Sequence, residues 1–361
     1  MNVIFRVDAS QLIGTGHVMR CLTLAHALSH RGANCSFICR ELEGNLCAVI
    51  EGEGFELNII NQPDKQYVSD DIDFLAHASW LGCSWQEDVL QTISALDGNI
   101  VDWLIVDHYA IDYRWEKALR EYCSRILVID DLANRMHDCD VILDQNLCEH
   151  FFTRYDSLVP DSTIRLLGPR YVLLRDEFRQ SDPKEKISCL KRVAIFYGGA
   201  DLVNETRKVL FSLVEYLNKG LEIDVIIGAA NPYKVDIEAW CDHYDGVTLH
   251  YNVNNIAEIL VGADLLFCAG GSITWERCCL GVPAVVTVVA SNQRKVAIEM
   301  QKRGTQIYIG NCEDLRDMDY RNIFKELSMN PRRLELMRKK SLGVVDGGGV
   351  DRVLDALLKE E

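Results

Sequence analysis

The chain has 361 residues, 48% of them hydrophobic and 25% charged, and a formal net charge of −16. A prior of roughly 150 residues per domain predicts two domains, with enough apolar residues to bury a core in each. The acidic balance excludes nucleic acid as the main partner, because a phosphate backbone needs a basic footprint, yet it leaves room for a small anion held on backbone N–H groups. Met1 leads straight into a strand-like run, and no apolar segment reaches the ~18 residues of a membrane helix, so a cytoplasmic protein with no membrane partner is expected. Fourteen cysteines are scattered without a C-x-x-C pair. That pattern predicts buried thiols in a reducing compartment. Oligomeric state is not predicted by any of these features.

Strand-like and helix-like runs alternate along the chain. Residues 2–8, NVIFRVD, read as a strand and 17–31 as a helix, with Val18, Leu22, Ala25 and Leu28 on one stripe and Gly32 as its stop. Residues 35–40, 102–107, 125–130 and 141–144 read as further strands, with a helix from Trp115. These apolar runs are continuous rather than alternating, which predicts parallel strands covered on both faces. The pattern then restarts. Residues 192–197 close on Gly198-Gly199 with a helix from about Asn204, 222–227 end at Gly228, 263–268 end at Ala269-Gly270-Gly271, and 283–287 follow. The polar stretch 179–191 marks a boundary. The expected fold is α/β: two doubly wound Rossmann-like domains, residues 1–182 and 190–340, facing across a cleft. A helical tail, 341–361, is expected to pack back on the first domain.

In open parallel sheets ligands bind beyond the carboxyl ends of the strands, so the informative residues are those that follow each strand. RVDASQLIGTGHVMRC, residues 6–21, is the first such place. Arg6 and Asp8 share one face of a buried strand, where charge is costly unless paired or functional. Gly14 and Gly16 permit a close approach of a ligand. His17 falls in the first turn of a helix, whose positive end disfavours the imidazolium and suits a general base. The alternative is a histidine that caps the helix or packs on the sheet. The coincidence of Arg6, Asp8 and two glycines at a strand end favours the base. The segment fails as a dinucleotide fingerprint, because Met19 stands where the third glycine belongs.

The run from Gly270, Gly271 and Ser272 through Thr274 to Glu276 reads as a strand entering a helix: a phosphate site of backbone N–H groups and hydroxyls, with Glu276 placed to accept two ribose hydroxyls. An acidic residue is also simply favourable at a helix N-terminus. Gly199 lies in a third turn, Tyr-Gly-Gly-Ala-Asp, which either lines the same cleft or is a tight turn with Asp201 or Asn204 capping a helix. Asp107, Tyr109, Asp130, Asp131 and Asp144 also stand at strand ends, and Asn292 lies in a polar loop after a strand. The D-x-D triplets at Asp71–Asp73 and Asp138–Asp140 follow no clear strand, so no metal is expected.

Together, residues 6–21, DHYAID (107–112), LLGPRYVLLRDEF (166–178), FYGGADLVNET (196–206) and AGGSITWERCCLGVP (269–283) resemble, in order, the UDP-2,4-diacetamido-2,4,6-trideoxy-β-L-altropyranose hydrolases of pseudaminic acid biosynthesis. A spore-coat polysaccharide protein shares the pattern. The resemblance spans at least residues 3–295, and that family is similar to the two-domain GT-B glycosyltransferases. It implies that the first domain takes the sugar and the second holds UDP. It also implies inverting, metal-independent hydrolysis at the anomeric carbon, with UDP-sugar and water as partners and no cofactor. His17 matches the base that activates water, and Tyr109 and Asn292 match sugar-side groups, joined by Arg6, Asp8, Gly14, Gly16 and Gly199. Gly270, Gly271, Ser272 and Glu276 match positions around UDP. The chain departs from the family at Ala200, where a serine is usual, at Gly347–Gly349, and in extra residues around 66–99. Two rival readings are a glycosyltransferase with a hydroxyl acceptor and a non-catalytic nucleotide-sugar binding module.

Overall fold

A computed structural model describes residues 1–61 and 75–358. Its contacts divide into two units. The first is Met1–Asn146, His150–Leu173 and Gly349–Glu361, and the second is Leu147–Glu149 and Leu174–Gly348. The first triplet, Asp71 and Asp73, lies outside the described residues.

The first unit holds a seven-stranded parallel sheet: β1 (Asn2–Val7), β2 (Asn34–Arg40), β3 (Glu56–Ile60), β4 (Val101–Asp107), β5 (Cys123–Ile129), β6 (Val141–Asp144) and β7 (Ile164–Leu167), in the order β3-β2-β1-β4-β5-β6-β7. Phe5, Val7 and Phe37 face one apolar layer, where the Phe5 and Phe37 rings stack 4.8 Å apart. The helices Gly16–His30 and Gly349–Leu358 complete that layer with Val18, Leu22, Val353 and Leu357. Ile4, Leu104, Ile126 and Trp115 face the opposite layer. Both faces are therefore covered, which is why the strands read as unbroken apolar runs. The C-terminal helix docks through Gly349, where an added Cβ would lie 2.2 Å from the Val172 carbonyl oxygen. That close approach explains one glycine of the 347–349 run.

The second unit holds β8 (Arg192–Phe196), β9 (Glu222–Ile227), β10 (Val247–Tyr251), β11 (Leu265–Ala269), β12 (Ala284–Val288) and β13 (Gln306–Asn311), in the order β10-β9-β8-β11-β12-β13. Counted from its own first strand, each sheet begins with the order 3-2-1-4-5-6. This is the doubly wound dinucleotide-fold order, and its topological switch point lies between the first and fourth strands. In the two units those pairs are β1/β4 and β8/β11.

The extra segment has a structural role in its described part. Helix Trp85–Ala95 carries Asp88, which is completely buried. Its carboxylate receives Arg6 Nη2 at 2.6 Å, Arg40 Nη2 at 2.8 Å and the Trp115 indole N–H at 2.9 Å. Of the second triplet, Asp138 and Asp140 both pair with Arg120, an ordinary ionic tie across a loop. Among the described residues no helix is long and apolar enough to cross a membrane, and no three His, Cys, Asp or Glu side chains are grouped to hold a metal ion.

All fourteen cysteines are free; eleven are buried and only Cys189 is fully exposed. Burial pushes the thiols of Cys123 and Cys241 up to about 11. Native protein treated with a thiol reagent at pH 8 is therefore expected to lose about one thiol quickly, and all fourteen only in denaturant. Rapid loss of several would contradict the packing. Asp88→Ala leaves two buried guanidiniums without their shared partner. It is expected to destabilise the first unit by about 3–5 kcal/mol, read from its urea unfolding transition.

Candidate active site

The strand β1 ends at Val7, and the chain runs through a short loop into helix Gly16–His30. Ser10 shapes that loop: its hydroxyl accepts the N–H groups of Leu12 and Ile13 at 3.2 and 3.0 Å. Gly14 returns an N–H to the Ser10 carbonyl at 2.8 Å and has φ of +80°, which favours glycine. Gly16 is exposed, and a Cβ there would meet nothing within 4 Å. No part of the described fold demands glycine at that position.

His17 sits in the first turn of the helix and is 7% exposed. Its Nδ1 lies 2.6 Å from Asp107 Oδ1 at the end of β4, the neighbouring strand across the switch point. The ion-paired carboxylate can only accept, so Nδ1 carries the proton and Nε2 keeps its lone pair. Burial works to raise the Asp107 carboxyl, but Arg20 and His17 outweigh it and hold the group well below the usual carboxylate range. Arg20 grips Asp107 through Nε at 2.5 Å and Nη2 at 2.6 Å. Tyr109, two residues beyond Asp107, presents its ring edge-on to His17 at 4.6 Å between centroids. Its hydroxyl donates to Asp131 Oδ1 at 2.5 Å. Burial and the Asp131 charge push the Tyr109 hydroxyl well above its ordinary value, so it stays protonated. His77 and Trp80 pack on the other side of Tyr109, with centroids 5.3 and 5.6 Å from its ring.

The structure thus brings His17 and Tyr109 together, beside Gly14 and Gly16. It corrects the expectation for Arg6 and Asp8, which are completely buried and present no polar atom to a ligand. Arg6 Nη1 binds Asp8 Oδ1 at 2.7 Å, and that oxygen also accepts the Arg40 N–H at 2.6 Å. The pair ties β1 to β2 beneath the loop. Asp107 and Arg20 were missed as partners of His17. Asp107 stood among the strand-end residues, but 99 positions of chain separate Asp8 from Asp107 and nothing local links the two strands.

In the second unit β11 ends at Ala269 and the helix Ile273–Cys279 starts after Gly270, Gly271 and Ser272. The Gly270 N–H is not bare: it donates to Gln293 Oε1 at 3.2 Å, and the same oxygen accepts the Val289 N–H at 3.1 Å. Gln293 thereby fastens the 291–293 turn, with exposed Asn292 on it, to the glycine loop. Among the described residues the N–H groups of Gly271, Ser272 and Ile273 have no acceptor, and the buried Thr274 hydroxyl has no partner. Glu276 is half-buried, 3.6 Å from Arg175 Nη2. Burial pushes its carboxyl up to about 7, with Arg175 opposing and Glu177 reinforcing the shift. Gly199 lies against the neighbouring loop, its carbonyl accepting the Gly228 N–H at 3.1 Å. Asp201 caps the helix Glu205–Leu217, accepting the N–H groups of Glu205 and Thr206 at 2.9 Å each.

No family model matches the chain. The UDP-2,4-diacetamido-2,4,6-trideoxy-beta-L-altropyranose hydrolase of Campylobacter jejuni is 26% identical over 308 residues, 85% of this chain and 98% of that one. An uncharacterised protein of Methanocaldococcus jannaschii is 24% identical over 324 residues, 87% of this chain and 61% of its own length. A spore coat polysaccharide biosynthesis protein of Bacillus subtilis is 26% identical over 191 residues, 52% of this chain and 56% of its own. The chain thus spans under two thirds of the latter two relatives. Among solved structures, MurG of Acinetobacter baumannii superposes with a TM-score of 0.63 at 16% identity, covering 99% of each chain. A spinosyn rhamnosyltransferase superposes at 0.65 with 15% identity, covering 98% of this chain and 99% of that one. The chain therefore has the two-domain α/β fold of the GT-B glycosyltransferases and, over most of its length, is similar in sequence to a hydrolase of UDP-linked diacetamido-trideoxy sugars.

Proposed function

We propose that the chain hydrolyses a UDP-linked 2,4-diacetamido-2,4,6-trideoxy sugar at its anomeric carbon, with inversion, releasing UDP and the free sugar for nonulosonate synthesis. The observation that carries this reading is the His17–Asp107 pair, which leaves Nε2 of a buried imidazole as a proton acceptor. Water gives a proton to Nε2 as its oxygen bonds to the anomeric carbon, and the bond from that carbon to the UDP oxygen breaks on the opposite face. The electron pair of the broken bond leaves with UDP. Asp107 stabilises the imidazolium that forms, as an ionised carboxylate beside a charged ring must.

Roles follow for the other residues. Tyr109 contacts the sugar, and Gly14 and Gly16 leave room for it. In the second unit the unoccupied N–H groups of Gly271 and Ser272 take the departing diphosphate, and Glu276 takes the ribose hydroxyls. Gly270 acts indirectly, by fixing the loop on which these groups stand, and Gly199 ties its own turn to Gly228. The similarity to the Campylobacter jejuni hydrolase favours water over a hydroxyl acceptor. The fold alone is equally at home with a glycosyltransferase.

His17→Ala is expected to lower turnover by about two to four orders of magnitude while leaving UDP affinity within about twofold of wild type. The assay follows candidate UDP-sugars by proton NMR, in chelator and with no acceptor added. Inverted free sugar supports hydrolysis; UDP release only on adding an acceptor supports transfer; saturable binding without turnover supports a binding module.

Glu276 gives a second, independent test. Only its ionised form offers both oxygens as acceptors, one to each hydroxyl, and burial pushes its carboxyl up to about 7. The ratio of UDP affinity in wild type to that in Glu276→Gln is therefore expected to rise about tenfold between pH 6 and pH 8, measured by calorimetry. A ratio independent of pH would remove Glu276 from the ribose.

A further inference from the structure

Arg20 has no role in the reading above beyond its grip on Asp107, yet it touches more of the cluster than any other side chain there. It stands one helical turn after His17 and is nearly buried. Nε and Nη2 fork onto the two oxygens of Asp107 at 2.5 and 2.6 Å. Nη1 reaches Asp131 Oδ2 at 3.2 Å, and Nη2 lies 3.2 Å from His17 Nδ1. Each of those carboxylates has its other task at the centre: Asp107 receives His17 Nδ1, and Asp131 receives the Tyr109 hydroxyl.

We propose that Arg20 is the positioning residue of this centre: by holding Asp107 and Asp131 on one guanidinium it fixes His17 with Nε2 free and Tyr109 with its hydroxyl proton turned to Asp131. The catalytic meaning of that arrangement rests on the hydrolase reading. The arrangement itself does not.

The charges give the inference its physical content. The groups facing His17 are Asp107 and Tyr109 from β4 and the loop after it, Arg20 and Cys21 on its own helix, and Asp131 after β5, with His77 beyond Tyr109. With Arg20 present, two carboxylates are balanced by one guanidinium. Without it both negative charges act on the imidazole alone, and the imidazolium is favoured. A histidine that is already protonated accepts nothing from water. Arg20 therefore offsets the two carboxylates, besides orienting the imidazole. Lysine supplies the charge but not the planar fork that matches two carboxylates.

The test uses the full chain labelled with ¹⁵N-histidine and long-range proton–nitrogen spectra across pH 5 to 9, with His17 identified by the signals lost in His17→Gln. Wild-type His17 is expected in the Nδ1–H form when neutral. Arg20→Gln is expected to raise its titration midpoint by at least about one pH unit, and Asp131→Asn, which removes a negative charge and leaves the Asp107 fork in place, to lower it. Arg20→Lys is expected to hold the midpoint within about half a unit of wild type yet lower kcat about tenfold, with KM little changed. The proposal is overturned by an Nε2–H tautomer in wild type, or by midpoints that Arg20→Gln and Asp131→Asn leave unmoved. Should Arg20→Gln not fold, the Asp131→Asn shift and the Arg20→Lys kinetics decide the matter by the same signs. A chain that shows the shifts but hydrolyses no UDP-sugar would overturn the hydrolase reading alone. Unmoved midpoints in an active enzyme would overturn the role of Arg20 alone.

Discussion

The carboxyl edge of the seven-stranded sheet is built from buried aspartates, and each is kept there by an arginine. Asp8 has Arg6, Asp107 has Arg20, Asp130 has Arg135 and Asp144 has Arg154, at 2.7, 2.5, 2.7 and 2.6 Å. A carboxylate removed from water is destabilised by several kcal/mol unless a partner and further hydrogen bonds replace the lost hydration. Burial raises all four carboxyls, and for Asp8, Asp107 and Asp130 the neighbouring cations reverse the effect, so these three stay ionised. Asp144 shows what happens when the balance tips. Arg154 opposes burial there, but burial prevails and the Asp131 charge adds to it, and the carboxyl is pushed up to about 7. The edge therefore carries as much negative charge as its arginines can hold.

The parallel register decides which of these groups meet. Val7 lies opposite Asp107 in the β1/β4 pairing, so the loop after β1 and the loop after β4 leave the sheet side by side. His17 arrives from the first loop and Asp107 and Tyr109 from the second. A slip of one residue would send Asp107 to the opposite face and break the pair. β5 follows on the far side of β4 and brings Asp130 and Asp131 to the same edge. His17, Asp107 and Tyr109 are thus brought to one edge by strand order and register.

What could be read in the sequence divides along the same lines. Every strand taken as such from its apolar run is an interior strand of its sheet. The four strands that were missed, β3, β7, β10 and β13, are the four edges. An edge strand is covered on fewer sides and needs no continuous apolar run: VTLHY of β10 has no buried residue at all. The loop after β1 was legible because arginine, aspartate and two glycines have no ordinary reason to follow a buried strand. Arg6 and Asp8, read there as ligand groups, are buried and paired instead: buried charge has two explanations, function and pairing, and the partner Asp88 stands 82 residues from Arg6 along the chain. Asp107 and Arg20 were visible as residues and invisible as a pair, because i,i+3 spacing links Arg20 to His17 but nothing along the chain links either to β4.

The strand-end clusters of the two units differ in which groups they leave open. In the first, the imidazole, both carboxylates, the guanidinium and the tyrosine hydroxyl all have partners, while among the described residues of that unit Asp8 Oδ2, His77 Nδ1 and His108 Nε2 accept no hydrogen bond. In the second, the turn after β11 leaves three backbone N–H groups and a buried threonine hydroxyl without partners among the described residues, beside a carboxyl pushed up to about 7. The first N–H groups of any helix lack intrahelical acceptors, and here the buried Thr274 hydroxyl lacks a partner as well. The set around His17 is held from several directions at once, which restricts the imidazole to one orientation. Gln293 accepts the N–H groups of both Gly270 and Val289 on one oxygen, so the glycine loop and the turn after β12 are held by a single side chain.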